Sequence, residues 1–218
     1  MARELHVTRL AELVPYEEGA RLQEELRAQV QDGAPDQLLL LEHEPVYTRG
    51  RRTGPGELPM GEEWYLAQGI EVCDADRGGA VTYHGPGQLV GYPIMRIDGV
   101  HEYVAALERA IIAALADEGV DAEVREGLTG VWAPKGKIAS IGVHVSRGVT
   151  THGFAVNVDN DLHPFEWIVP CGMQGAQMSS ICKETGRSGH MESFREAVVA
   201  RLCEALDREP QVVVSTAG

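Results

Sequence analysis

The chain has no long apolar run. Its longest aliphatic stretch is Leu38 to Leu41, far short of the roughly 20 residues a membrane-spanning helix needs. The opening segment, MARELHVTRLAELVPYEE, is charged inside every apolar portion, unlike a secretory signal, so a cytoplasmic location is expected. Cysteine is scarce. Cys73, Cys171, Cys182 and Cys203 are the only four in 218 residues and no two form a CxxC pair, which excludes a disulfide scaffold. Basic residues are outnumbered, 19 Lys and Arg against 33 Asp and Glu, for a net charge of −14. Such a chain is poorly suited to nucleic acid or to anionic membranes. Metal-ligand spacing is missing among the histidines and cysteines: His43-Glu44 and His101-Glu102 lack the second histidine of a zinc helix. A phosphate loop is missing too. Gly130-Val-Trp-Ala-Pro-Lys-Gly136-Lys137 has one residue too many between its glycines, and Ile138 stands where Ser or Thr is required. Neither a metal nor another cofactor is therefore expected. No repeat, low-complexity linker or charge block divides the chain, and its length suits one domain, residues 1–218.

What is present is a clear alternation of periods. Residues 16–32 carry Leu22, Leu26 and Val30 at spacing four, with Pro15 before them and Gly33 after, and are expected to be helical. Residues 101–118 repeat the pattern with Val104, Leu107, Ile111 and Leu115, and 194–207 with Phe194, Val198, Leu202 and Leu206. Ser193 followed by Glu196 reads as a capping box for that third helix. Residues 37–42 are too short for a helix and read as a buried strand. In KIASIGVHVSR and THGFAVNVD the period falls to two, and Arg147-Gly148 between them suggests a hairpin. Ile141, Val143, Val145, Phe154, Val156 and Val158 form a large face suited to a core. Ser140, Gly142, His144, Gly153, Ala155 and Asn157 form a small face, which either admits a long thin ligand or allows close sheet packing. Helices set around such strands predict an α+β fold with a central mixed β-sheet flanked by helices.

Three segments could carry chemistry. Arg77-Gly-Gly-Ala-Val-Thr-Tyr-His84-Gly-Pro-Gly-Gln88 brings glycine backbone close to something on both sides of a short strand. Lys137-Ile-Ala-Ser-Ile-Gly142 opens a strand with a lysine. Val169-Pro-Cys171-Gly-Met173 presents a cysteine in a turn, which the local sequence alone reads first as an ordinary thiol and as a nucleophile only if Lys137 meets it. Cys73, in an alternating stretch, and Cys203, in a helical one, read as structural.

Taken together and in order, LLLLEHEPVYTRG, RGGAVTYHGPGQLVGYPI, GVW, KIASIGVHVSRGVTTHGFAVNVD and PFEWIVPCGM resemble the lipoyl(octanoyl) transferase family across residues 38–173. The resemblance implies a biotin/lipoate protein ligase-like fold and a cofactor-free acyltransferase. Its implied catalytic pair is Cys171, the nucleophile, and Lys137, which adjusts that thiol. Implied acyl-binding residues are Arg77, Gly78, Gly79, Ala80, Val81, Thr82, Tyr83 and His84, then Ser140, Ile141 and Gly142, then Gly153, Phe154 and Ala155. The implied donor is octanoyl-acyl carrier protein. The implied acceptors are lipoyl domains of 2-oxoacid dehydrogenase complexes and the glycine cleavage H protein, with no nucleic acid and no membrane as partner. Both kinds of protein partner are generally acidic in that family, so a local basic patch is expected on this acidic chain. Arg49-Gly-Arg-Arg52 is the densest, extended by Arg77 and Lys135 if the loops converge. The competing expectation is internal pairing of these arginines with Glu57 or Glu62. Two other functions share the scaffold features: an ATP-dependent lipoate or biotin protein ligase, and a binding protein without catalysis. The Pro-Cys171-Gly turn distinguishes the transferase from the first, and Cys171 with Lys137 distinguishes it from the second.

Overall fold

The computed structural model describes residues 3–169 and 177–213. Strand β1 (Arg3–Val14) leads into helix α1 (Tyr16–Gln31) and returns as β2 (Asp36–His43). Then come β3 (Val46–Arg49), the short α2 (Glu62–Ala67), β4 (Glu71–Asp74), β5 (Thr82–His84) and β6 (Gln88–Ile94). Helix α3 (Val100–Asp117) precedes a run of four strands, β7 (Glu123–Arg125), β8 (Leu128–Ala133), β9 (Gly136–Ser146) and β10 (Val149–Asn157). A 3-10 turn at His163–Trp167, α4 (Ile181–Thr185), α5 (Met191–Leu206) and β11 (Arg208–Val213) complete the order.

Eight strands form the central mixed sheet in the order β11-β1-β2-β6-β10-β9-β8-β7. β1 runs parallel to β11 and β2, and the remaining neighbours are antiparallel. A second sheet, β4-β3-β5, stands apart. The four leucines of β2 show how the layers form. Successive side chains of a strand point to opposite faces. Leu38 and Leu40 pack with Leu89, Phe154 and Val156 against α3 and α5, through Leu107, Ile111, Phe194, Val198 and Leu202. Leu39 and Leu41 pack on the other face with Val90, Tyr92 and Ala155, under Leu22 and Leu26 of α1. All four leucines are buried on both sides, as a run without polar alternation requires.

The expected hairpin is present. Arg147 and Gly148 both have positive φ, 51° and 77°, the combination that matches a two-residue turn to strand twist. Its register sets Gly142 opposite Gly153, Ile141 opposite Phe154 and Ser140 opposite Ala155, so large pairs with large and small with small. The third helix departs from expectation. It starts at Met191, with His190 at the cap, so Ser193 lies in its first turn and makes no capping box. Its hydroxyl donates to the His190 carbonyl instead. The entry is fixed from outside the helix: Asp159 accepts from the N–H groups of Gly189 and His190, and the His190 ring is bonded to Glu118.

Candidate active site

A cavity of about 370 Å³ lies between the α1-side face of the central sheet and the loop leading into β5. Its floor includes Ser140, Ile141 and Gly142 of β9, Gly153, Phe154 and Ala155 of β10, and Val90 and Tyr92 of β6. Its roof includes Arg77, Gly78, Gly79, Ala80, Val81, Thr82 and His84. The expected acyl-binding segments thus converge on one space, with Tyr83 the exception. Alternation along β5 turns Tyr83 away, into the aromatic cluster with Tyr47 and Phe165. The two strand glycines also serve close packing. A Cβ on Gly142 would lie 2.7 Å from the Gly78 carbonyl oxygen, and one on Gly153 only 2.4 Å from that of Gly91. Both properties of the small face, a neighbouring cavity and near contact of backbones, therefore hold at once.

Arg77 organises the roof from inside. Its guanidinium is buried and donates to the carbonyls of Gly78 and Ala80 and to both the carbonyl and the hydroxyl of Thr48. The loop after β3 runs beside it, with Arg51 N–H donating to Arg77 O and Arg52 N–H to Gly79 O.

Lys137 lines the opposite end of the cavity and is 7 % exposed. Its ammonium lies 5.7 Å from the centre of the Trp132 ring. Gly130, at φ +121°, makes room for it, since a Cβ there would meet Lys137 Cε at 2.8 Å. The Lys137 main chain binds the segment that follows residue 176: its N–H donates to Gln177 O and its carbonyl accepts from Ser179 N–H. Before residue 170, Val169 N–H donates to the carbonyl of Glu57, another cavity residue. Cys171 lies outside the described residues, but both flanks of its segment are thus fastened at the cavity.

Behind the wall is a buried polar network. His84 is bonded through Nδ1 to the Gln88 amide oxygen. Gln88 donates to Asn157, and Asn157 donates to Ser179 O, next to Lys137. Burial, with His43 and Arg77 nearby, holds His84 well below the usual imidazole range, so it is neutral. His43 is also neutral. Burial takes it down to about 4; its Nδ1–H donates to Val14 O, and its Nε2 accepts from the Tyr92 hydroxyl. Burial pushes the Tyr16 phenol up to about 12. His152 is lowered by burial, against the opposing effect of its bond to Asp76.

The basic patch is smaller than expected. Arg49 is paired with Glu62 and Asp74. Arg77 is buried, and Lys135 caps carbonyls of Lys183 and Glu184. Arg51 and Arg52 remain exposed and make no ion pair among the described residues. Arg52 stands at the cavity. Cys73 and Cys203 are free thiols pushed up by burial, which suits structural roles. Among the described residues no group of side chains could hold a metal ion, and no helix is long and apolar enough to cross a membrane.

Sequence reasoning missed Tyr16, Tyr92 and His152, which line this cavity, and Gln23, which accepts from the His152 N–H. Tyr16 and Tyr92 carry no local signal beyond being aromatic. His152 had one: a polar ring beside the small Gly153, ahead of the apolar run Phe154-Ala155-Val156.

The fold is an α+β domain with a central mixed sheet and a buried lysine lining its cavity, and comparison with known proteins gives its family. The model of the lipoyl protein ligase A/B catalytic domain matches residues 15–203, and the chain belongs to that family. It is 47% identical over 206 residues to an octanoyltransferase of Mycobacterium ulcerans, covering 89% of this chain and 85% of that one. It is 48% identical over 204 residues to an octanoyltransferase of Acidothermus cellulolyticus, covering 89% of each. Among solved structures, a bi-partite lipoate protein ligase from Thermoplasma acidophilum superimposes with a TM-score of 0.75 at 16% identity, covering 99% of this chain and 88% of that one. A lipoate-protein ligase A bound with ATP gives the same TM-score and identity, with coverage of 99% and 90%. At that identity these two establish the shared fold.

Proposed function

We propose that this protein is an octanoyltransferase that moves an octanoyl group from an acyl carrier protein thioester to the ε-amine of a lysine on a lipoyl domain. The observation that carries the reading is the extent of identity to octanoyltransferases, about as long as the chain itself. The cavity supports it: a narrow space with backbone on two sides and a buried lysine at one end suits a straight acyl chain.

In this reading the Cys171 thiolate attacks the thioester carbonyl, and the carrier leaves as a thiol on taking a proton from the Lys137 ammonium, which becomes the neutral amine. The acyl group is then a thioester on Cys171. The acceptor amine attacks the same carbonyl, gives up a proton, and expels the Cys171 thiolate as the amide forms. Lys137 serves both halves. As an ammonium it favours the thiolate beside it, and as a neutral amine it takes the proton of the acceptor. The hydrogen bonds that tie Val169 to Glu57 and residues 177–179 to Lys137 support that pairing, because they begin and end the Cys171 segment at the cavity. The first exchange conserves a thioester and the second forms a more stable amide, so the sequence needs no nucleotide. The acyl-binding role belongs to Arg77–His84, Ser140–Gly142 and Gly153–Ala155, with Arg77 and Tyr83 acting through the wall they build. Burying the chain contributes on the order of 5 kcal/mol, at about 0.8 kcal/mol per methylene.

The partners in this reading are acidic: octanoyl-acyl carrier protein as donor, and the lipoyl domains of 2-oxoacid dehydrogenase complexes and the glycine cleavage H protein as acceptors. Arg51 and Arg52 provide the positive ground beside the cavity, and a cytoplasmic setting belongs to the same proposal. The test is incubation with octanoyl-carrier protein and a lipoyl domain without ATP. The reading requires the domain to gain one octanoyl mass on its lysine. A strict requirement for ATP and free acid would establish the ligase alternative.

A further inference from the structure

The end of the cavity remote from Lys137 has a wall of a different kind. Lys137 lies five residues from Gly142 along β9, and the register carries Gly142 across to Gly153. His152 precedes Gly153, lines the cavity, and pairs with Val143, six residues from Lys137. The other end-wall residues, Tyr16 and Tyr92, are rigid rings buried to 5 % and 4 % exposure. Tyr92 meets the His152 ring edge-on at 6.2 Å.

His152 is held in a costly conformation. Its φ is +56°, in the left-handed region that disfavours a side chain with a Cβ. Two contacts hold it there. Its N–H donates to Oε1 of the buried Gln23, at 2.6 Å, and its Nε2 is 2.5 Å from Asp76 Oδ1. Asp76 is half exposed, and His144 approaches its other oxygen at 3.5 Å. The imidazole is therefore the last layer between the cavity and a carboxylate in contact with solvent.

We propose that His152, held by Asp76, is the gate that ends the acyl channel and fixes the longest chain the enzyme accepts. This inference rests on the octanoyltransferase reading above. A channel floored by strand backbone does not by itself stop a growing chain, and an apolar tail gains with each added methylene. A polar ring hydrogen-bonded across the exit stops it in two ways. It occupies the path, and moving it aside would break the hydrogen bond of the buried ring to Asp76.

The test is a chain-length profile with the full chain and carrier-bound octanoyl, dodecanoyl and hexadecanoyl donors. In His152→Gly the ring is gone and the positive φ is relaxed. The dodecanoyl-to-octanoyl ratio of kcat/KM is expected to rise at least about tenfold over the unmodified enzyme, within the range that methylene-scale pocket changes produce. Asp76→Ala leaves the strand intact and only unties the ring, so it should move the ratio the same way by a smaller factor. It decides the matter if His152→Gly does not fold. Equal losses for all three donors in the folded variants would mean His152 is structural and overturn the proposal. A dodecanoyl rate already equal to octanoyl in the unmodified enzyme would overturn it as well. Transfer from no donor by the unmodified protein would instead refute the octanoyltransferase reading.

Discussion

Lys137 and the buried histidines show how much is decided by single side chains. Lys137 is packed beside Trp132 in space that Gly130 leaves, so its amine is kept near one point. Lys137→Ala should lower kcat by about 100-fold or more, the usual loss for an acid–base group. Lys137→Arg should not restore it, because a guanidinium stays protonated and cannot take the acceptor's proton. Near-normal turnover in Lys137→Arg would leave the lysine only an electrostatic part. Lys135, bonded to the end of α4, is the control and should tolerate substitution in the same assay. His43 leads to a stability prediction. Its folded pKa is depressed from 6.5 to about 4 by burial, so below pH 6.5 the unfolded chain binds the proton that the folded chain refuses. The contribution is full above pH 6.5 and is lost as pH falls toward 4, on the order of 3 kcal/mol in all. Denaturant titrations between pH 7 and 4 should show that fall. His43→Asn, with a side chain that does not titrate, should make the fall shallower, leaving the part that belongs to His84 and His152.

Among the elements, those with one uninterrupted period were legible. The helices α1, α3 and α5 and the β9–β10 hairpin lie where apolar spacing put them, within a few residues. The strand β6 was not legible, because Gly91 and Pro93 look like loop residues. Gly91 is there because the Phe154 ring lies over it, leaving 2.1 Å to any Cβ, a long-range cause with no local trace. β1 was missed for a related reason. Its register with β2 shifts between Arg9 and Leu13, which breaks the alternation. The candidate site was legible as segments, but the wall formed by Tyr16, Tyr92 and His152 depends on packing between distant elements. The start of α5 offers a direct check on local against tertiary capping. Ser193→Ala should cost no more than a few tenths of a kcal/mol, whereas Asp159→Ala should cost about 1 kcal/mol, the typical value of a helix cap. Thermal or denaturant unfolding of the two variants measures both. The reverse order would restore the capping box at Ser193.

At the scale of the whole molecule, a chain with net charge −14 repels acidic partners in bulk. Arg51 and Arg52, exposed beside the cavity, are the local exception. The double variant Arg51→Glu with Arg52→Glu should lose most of its kcat/KM with carrier-bound octanoate and little with a small octanoyl thioester. Added salt should lower the unmodified rate with the carrier, since screening weakens steering. Equal losses on both donors would instead assign these arginines to the shape of the cavity. The proposed mechanism passes a covalent acyl group through Cys171. The most direct measurement is intact mass of the protein after brief exposure to octanoyl-carrier protein alone, without ATP and without acceptor. The account predicts one added octanoyl group, released by neutral hydroxylamine as a thioester is, mapped to Cys171, and absent from Cys171→Ser while Cys73, Cys182 and Cys203 are intact. Full transfer activity in Cys171→Ser, or an octanoyl adduct that requires ATP, would contradict it.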